Sequence, residues 1–349
     1  MATNSIMPAV RFHGQKDIRL ESIPIPKLTT PSHVLIRPAF CGICGSDLHE
    51  YLGGANLIPS ENPHPITGET LPLTLGHEFS GIVEDVGDQV KGVKKGDRVC
   101  VQPIIYDDDC RSCKRGLHNC CDKNGFVGLS GWGGGLSELM AVPESCVKKL
   151  PENVSLEVGA LIEPLAVGWH AVDISPWKKG DAALVLGGGP IGLAVVQALV
   201  GRGCDNIIVS EVSGKRRQFA KQFGATHVVD PVKEDIVARV EELTGGLGAD
   251  ALKARGTLVN IAVWEKRAQL QMNEIVFRER GYMGVATYSL GDFEAVLEAI
   301  SSGRMKPEGM ITKKIKLDEV VEEGFHTLID DKENHVKILV DVAGSTKKS

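Results

Sequence analysis

The sequence predicts an α/β protein in which an antiparallel, barrel-like domain precedes a doubly wound parallel sheet. Its 349 residues suffice for two domains with sizeable cores. Up to about Pro151, short apolar runs of alternating polarity are broken by Gly and Pro, the punctuation of antiparallel strands. From about Gly180, apolar runs alternate with helix-like stretches, the pattern of β-α units in a parallel sheet.

In the first part, strands are predicted over 34–37, 81–86, 98–102 and 139–142. In the second, a strand over 182–186 leads through glycines into a helix over 191–200. Strands at 207–210 and 226–229 lead into helices over 215–223 and 234–243. Beyond Gly303, a strand over 312–317 and a helix over 319–329 are expected to pack back on the first domain. The predicted domain limits are 1–167, 168–302 and 303–349.

Hydrophobic residues make up 42% of the chain, but no run reaches the ~18 apolar positions of a membrane span. The first ten residues, MATNSIMPAV, lack the basic and apolar regions of a signal peptide, so a soluble, cytoplasmic protein is expected. The net charge of −6 includes no basic block for neutralising phosphates, and nucleic acid is not an expected partner. Nine cysteines, six of them at 41, 44, 110, 113, 120 and 121, are too clustered for a disulfide framework and point to metal.

Gly187-Gly188-Gly189-Pro190-Ile191-Gly192 matches G-x-G-x-x-G between a predicted strand and a helix, where glycine lets backbone approach a pyrophosphate. Glu211 ends the next strand 24 positions after Gly187, where an acidic side chain binds ribose hydroxyls and repels a 2′-phosphate. This reads as a Rossmann unit for NAD. Lys215, Arg216 and Arg217 follow, and Arg216 is the candidate phosphate contact.

Cys41-Gly42-Ile43-Cys44-Gly45-Ser46-Asp47-Leu48-His49, then Gly76-His77-Glu78 and Glu163-Pro164, bring together sulfur, nitrogen and oxygen donors that zinc accepts. With these motifs in this order, the chain resembles the zinc-containing medium-chain alcohol dehydrogenases, and within them the butanediol and sorbitol dehydrogenase branch. The resemblance runs from about Val10 to Val342 and implies a GroES-like β-barrel catalytic domain followed by a Rossmann domain. It assigns Cys44 and His77 to a catalytic zinc, with Glu163 or Glu78 supplying oxygen. It makes Cys41 a core cysteine and lets Asp47 orient His77. Asp107, Cys110, Cys113 and Cys121 keep the family's structural-zinc spacing of three, three and eight, with aspartate in the place of the first cysteine. Cys120 is the alternative donor there.

The resemblance also implies a reaction. Zinc activates a substrate hydroxyl, hydride passes from its carbon to NAD, Ser46 accepts the hydroxyl proton, and His49 relays it toward solvent. The glutamate-containing site and segment 125–138 favour a vicinal diol, 2,3-butanediol to acetoin. A sorbitol- or xylitol-type polyol dehydrogenase and an inactive zinc- or nucleotide-binding relative are the alternatives. Self-association as a dimer or tetramer is implied as well.

One departure stands out. After the third β-α unit, Gly248-Ala249-Asp250 runs straight into Ala251-Leu252-Lys253-Ala254-Arg255-Gly256 and the strand-like 257–264. A whole β-α step, on the order of two dozen residues, is missing between Asp250 and Ala251. The lost strand belongs beside the first strand at the sheet centre. Its absence is expected to leave two buried edges, each unpaired group costing about 1–3 kcal/mol, unless 257–264 moves into the gap.

Overall fold

Strand pairing organises the chain into two units. In the computed structural model, which describes residues 6–246, 248, 249, 253–264 and 267–346, the first unit runs to Glu163 and resumes at Met310. The second runs from Pro164 to Gly309.

In the first unit, β1 (Ile6–Gly14) and β2 (Asp17–Pro24) form an antiparallel hairpin. β3 (His33–Gly42) carries buried Val34 and Ile36, while Arg37 between these faces turns outward to Glu84 (3.2 Å) and Glu138 (2.8 Å). That period of two is what a half-buried strand requires. β4 (Leu73–Thr74) joins β1, while β5 (Glu78–Val86) pairs with β3 and with β6 (Arg98–Val101). β7 (Ile104–Ile105) and β8 (Gly125–Phe126) make a short ribbon; β9 (Met140–Pro143) pairs with β3 and β10 (Val147–Lys149) with β6. Phe12, Ile36, Phe79, Leu136 and Val142 fill the interior, each contributing about 1.5–3 kcal/mol by burial.

The second unit begins as predicted. β11 (Ala183–Leu186), β12 (Ile207–Ser210) and β13 (His227–Val229) form a parallel sheet with β12 in the middle. Helices Pro190–Gly201, Gly214–Gln222 and Ile236–Leu243 follow them in turn. Asp235 caps the last of these by accepting the N–H groups of Val237 and Ala238. β14 (Thr257–Asn260) then pairs with β15 (Gly281–Gly284) in a separate parallel ribbon.

The junction between Asp250 and Ala251 lies outside the described residues, but its consequences do not, and they correct two expectations. Segment 257–264 does not fill the gap, because β14 pairs with β15 and, among the described residues, not with β11. The open edges are buried only in part: Val185 of β11 is 8% exposed, but Leu186 is 61% exposed, β14 is half-buried and Tyr282 is 44% exposed. Where the edge is exposed water can solvate its amides, which lessens the penalty expected for orphaned buried groups. The cost appears instead as exposed apolar surface, with Val263, Trp264, Met272, Val276 and Phe277 all 58% exposed or more.

The chain returns to the first unit through β16 (Ile311–Lys316) and β17 (Lys337–Asp341), which pair in parallel, and β17 lies antiparallel on β3. The helix expected over 319–329 is present as three differently wound pieces, Leu317–Glu319, Val320–His326 and Thr327–Asp330. The middle piece has the wider π winding, and the buried residues Val320 and Phe325 stand five apart within it. Among the described residues, no helix is long and apolar enough to cross a membrane.

Hydrogen–deuterium exchange tests the divided sheet. Amides of Thr257–Asn260 and Gly281–Gly284 are expected to exchange at least tenfold faster than those of Ile207–Ser210. Equal protection would mean that a further strand covers the ribbon.

Candidate metal and cofactor sites

The metal site grows from the pairing of β3 with β5, which sets Gly42 opposite Glu78. Past Gly42 the Ile43 N–H donates to Ile338 O (3.2 Å) and ties the chain to β17. Cys44 then begins helix Gly45–Gly53, its N–H donating to Asp47 Oδ2 (2.9 Å). On the other side, Gly76 enters β5 with φ +104°, and a Cβ there would stand 2.7 Å from Cys41 Sγ. Only glycine makes that turn without strain, and the turn delivers His77 and Glu78 to Cys44. The donor atoms of Cys44, His77 and Glu78 lie within 4.8 Å of one another.

His77 is buried, with Ser46 Oγ 3.2 Å from Nε2 and Asp47 Oδ1 3.6 Å from Nδ1. The second distance is too long for a hydrogen bond, and His77 Nδ1 and Asp47 Oδ1 are both buried without one. Burial works against a charged His77 ring, but Asp47, Cys44 and Glu163 outweigh it and raise its pKa well above the usual 6.5. Burial likewise raises the pKa of Asp47 and, with neighbouring carboxylates, that of Cys41, which stays a core thiol. Sulfur, imidazole and carboxylate donors within one small volume, with the Asp47 carboxylate facing Nδ1 of the imidazole at 3.6 Å, make a donor set that fits zinc.

The two candidate oxygen donors stand differently. Glu163 is buried at the start of helix Ile162–Ile174; it is outside the group of three, yet its charge acts on His77. Glu78 belongs to the group, but Lys337 Nζ donates to both its oxygens (2.9 and 2.7 Å). The motifs do not reveal Lys337. It is 259 positions from Glu78, and its only signal is a lysine opening the apolar strand Lys337–Asp341. His49 is exposed, one turn beyond Ser46.

The second cluster is also assembled. The donor atoms of Asp107, Cys110, Cys113 and Cys121 lie within 4.8 Å of one another, and Cys120 stands exposed outside that set. Asp107 Oδ1 accepts the N–H groups of Asp109 and Cys110 (3.0 Å each), and Lys123 Nζ is 3.2 Å from Oδ2. Cys121 Sγ accepts the N–H groups of Asp107 (3.4 Å) and Lys123 (3.3 Å). Backbone N–H groups of Cys113 and Asp122 lower the pKa of Cys110. Burial, with the neighbouring Cys110 and Cys121 sulfurs, pushes the Cys113 thiol up to about 12, so the three sulfurs and one oxygen donor form a set that a metal would have to deprotonate in part.

In the second unit, Gly187 turns with φ +98°, and a Cβ on Gly192 would stand 2.0 Å from Gly187 O. Gly189 caps helix Pro190–Gly201, with Pro190 in its first turn and Ile191 next. Glu211 reaches back, accepting the N–H groups of Gly188 and Ser213 (2.7 Å each). The basic triplet separates by partner. Arg217 bonds Glu211 O (2.6 Å) and Asp230 (3.0 Å), and Lys215 lies over the Phe219 ring. Arg216 stands beside Gly189. The loop and its acidic residue fit a dinucleotide.

Comparison with known proteins agrees with this geometry. Residues 30–152 match the alcohol dehydrogenase GroES-like domain, and residues 190–252 match the zinc-binding dehydrogenase domain. The (R,R)-butanediol dehydrogenase of Bacillus subtilis is 46% identical over 352 aligned positions, covering 96% of this chain and 99% of that protein. The chain belongs to the zinc-binding alcohol dehydrogenase family. It is an oxidoreductase that uses zinc and NAD. The Neisseria gonorrhoeae (R,R)-butanediol dehydrogenase is 39% identical over 96% of the chain and 99% of its own length. The crystal structure of the B. subtilis 2R,3R-butanediol dehydrogenase superposes with a TM-score of 0.89 at 45% identity, covering 96% of this chain and 99% of that one. The dehydrogenase aligns over 352 positions with only 96% of its 349 residues, so its relative carries residues that have no counterpart here.

Zinc binds a neutral imidazole and a thiolate. Because the metal-free fold holds the His77 proton above the usual value, zinc uptake must displace it. Zinc affinity is therefore expected to fall as pH drops from 8 to 6, with protons released on binding. A competitive zinc titration at both pH values checks this; an affinity that does not change contradicts it.

Proposed function

We propose that this dehydrogenase oxidises a vicinal diol, 2,3-butanediol to acetoin, with NAD, and catalyses the reverse reduction. The observation that carries the reading is the convergence of Cys44, His77 and Glu78 beside the Ser46 hydroxyl. The names and near-complete coverage of the butanediol dehydrogenase relatives support the substrate class. The ligands proposed for the catalytic zinc are Cys44, His77 and one glutamate, Glu163 or Glu78. Bound there, zinc supplies Lewis-acid polarisation of the alcohol oxygen, which an unaided hydroxyl lacks at neutral pH. NAD, bound at the glycine loop, supplies the hydride acceptor.

The chain's own groups do the rest. Asp47 keeps the Nδ1 side of His77 facing itself, which leaves Nε2 for the metal. Ser46 Oγ, 3.2 Å from that nitrogen, is placed to accept the proton of the substrate hydroxyl. His49 is exposed and passes the proton to solvent. Gly187, Gly189, Pro190, Ile191 and Gly192 present the pyrophosphate cradle, Arg216 adds a positive charge, and Glu211 takes the ribose hydroxyls. We assign a second, structural zinc to Asp107, Cys110, Cys113 and Cys121. The domain limits given above, a cytoplasmic location and assembly as a homodimer or homotetramer belong to the same reading.

Three outcomes test it. NADH is expected from at least one 2,3-butanediol stereoisomer; none from any of them, with good turnover of sorbitol, would move the substrate to the polyol class. Ser46→Ala is expected to lower kcat by about 10²–10⁴-fold while the bound zinc is unchanged. Elemental analysis is expected to count two zinc ions per chain, falling to one in Cys113→Ser; one ion in the wild type removes the second site.

A further inference from the structure

One face of β1 lines a cavity of about 400 Å³ in the first unit. Strand register builds that face. Met7 stands opposite Ile23 of β2 and Arg11 opposite Thr74 of β4, and residues directly opposed in antiparallel strands share a face. Glu69 and Trp132 line the cavity from loops, and His33 from the start of β3. Cys44, Ser46, His77, Glu78 and Glu163 are not among its lining residues.

Its charged groups are unmatched. Arg11 donates from Nη2 to Pro72 O, but its Nε is buried without a hydrogen bond, and among the described residues no carboxylate pairs with it. Glu69 Oε1 accepts the Trp132 N–H (2.7 Å), yet among the described residues Glu69 has no cation as partner. Thr74 is 6% exposed, and its hydroxyl has no hydrogen bond among the described residues. Burial lowers the His33 pKa below the usual 6.5, so the ring is neutral at pH 7 and balances neither charge. Charged side chains withdrawn from water ordinarily pair.

Trp132 adds a second sign of a ligand. Its φ of +59° lies in the left-handed region, between Gly131 (φ +125°) and Gly133 (φ +75°). A bulky residue there is strained, and strain of this kind persists where the surroundings enforce it, often at ligand sites. Here Glu69 holds the Trp132 N–H, and the indole meets the His33 ring edge-on with centroids 6.4 Å apart. The result is a fixed aromatic wall facing the cavity.

We propose that this cavity binds a free α-amino acid with an apolar side chain. The ligand carboxylate pairs with Arg11 and takes the Thr74 hydroxyl, its ammonium group pairs with Glu69, and its side chain lies on Trp132, Met7 and Met140. A guanidinium bonds a carboxylate through two parallel N–H groups, which employs the idle Nε. The volume falls in the range of small-molecule sites, which are mostly apolar with a few placed polar groups. An acid lacking the ammonium would leave Glu69 without a partner, and an amine lacking the carboxylate would do the same to Arg11.

Calorimetric titration of the full-length protein tests this. L-leucine and L-phenylalanine are expected to bind saturably, one per chain. The leucine analogues 4-methylpentanoate, without the ammonium, and 3-methylbutylamine, without the carboxylate, bind at least tenfold more weakly than leucine. Arg11→Gln and Glu69→Gln each weaken leucine at least tenfold; the second variant keeps an acceptor for the Trp132 N–H. Trp132→Phe keeps leucine affinity within threefold but loses the change in tryptophan fluorescence on binding.

The absence of saturable binding of either amino acid at about 10 mM overturns the proposal. So does 4-methylpentanoate binding as tightly as leucine, which would leave Glu69 without a part, and so does unchanged leucine affinity in folded Arg11→Gln. The comparison of leucine with its two analogues uses only the wild-type protein, so an unstable variant does not prevent a decision.

Discussion

Everything at the candidate metal site depends on the register of β3 against β5 and β17. That register sets Gly42 opposite Glu78 and opposite Leu339. Because side chains alternate along a strand, a slip of one residue would turn Glu78 to the other face of the sheet. Cys44 would then lose its neighbours and Lys337 its partner. The interior residues Ile36, Phe79, Ile338 and Val340 hold the register, each of them 1% exposed or less. Packing and chemistry are therefore specified by the same strands.

The second unit divides its parallel strands into two separate groups. β11 to β13 pair as a three-stranded parallel sheet and carry a complete glycine loop with its acidic partner. β14 and β15 pair only with each other among the described residues. Parallel strands are ordinarily buried on both faces, and a two-stranded ribbon has little independent stability. The exposed apolar residues from Val263 to Tyr282 are the visible cost. The half of the sheet that carries the glycine loop is thus intact while the other half is thinly supported.

Much of this was legible in the sequence where a local pattern carries the information. Cys44 with Asp47 is a short-range unit joined by a hydrogen bond, and Gly76 before His77 takes the positive φ that a glycine permits. The β-α alternation from 183 to 243 is a matter of periodicity and is recovered to within a few residues. Lys337 was not legible, because strand register joins it to Glu78 across 259 positions. The basic triplet after Glu211 was readable only as charge; its partners assign Arg217 to Asp230 and leave Arg216 at the loop. The three windings within 317–330 answer to the inward spacing of Val320 and Phe325, which a helical average conceals.

The central claim is that this chain holds a metal through the sulfur of Cys44 and the imidazole of His77. Anomalous diffraction at the zinc edge, from crystals of the zinc-loaded protein, examines those atoms directly. The account predicts a peak about 2.0–2.3 Å from Cys44 Sγ and His77 Nε2. An empty map there, with zinc present in the crystal, would contradict it.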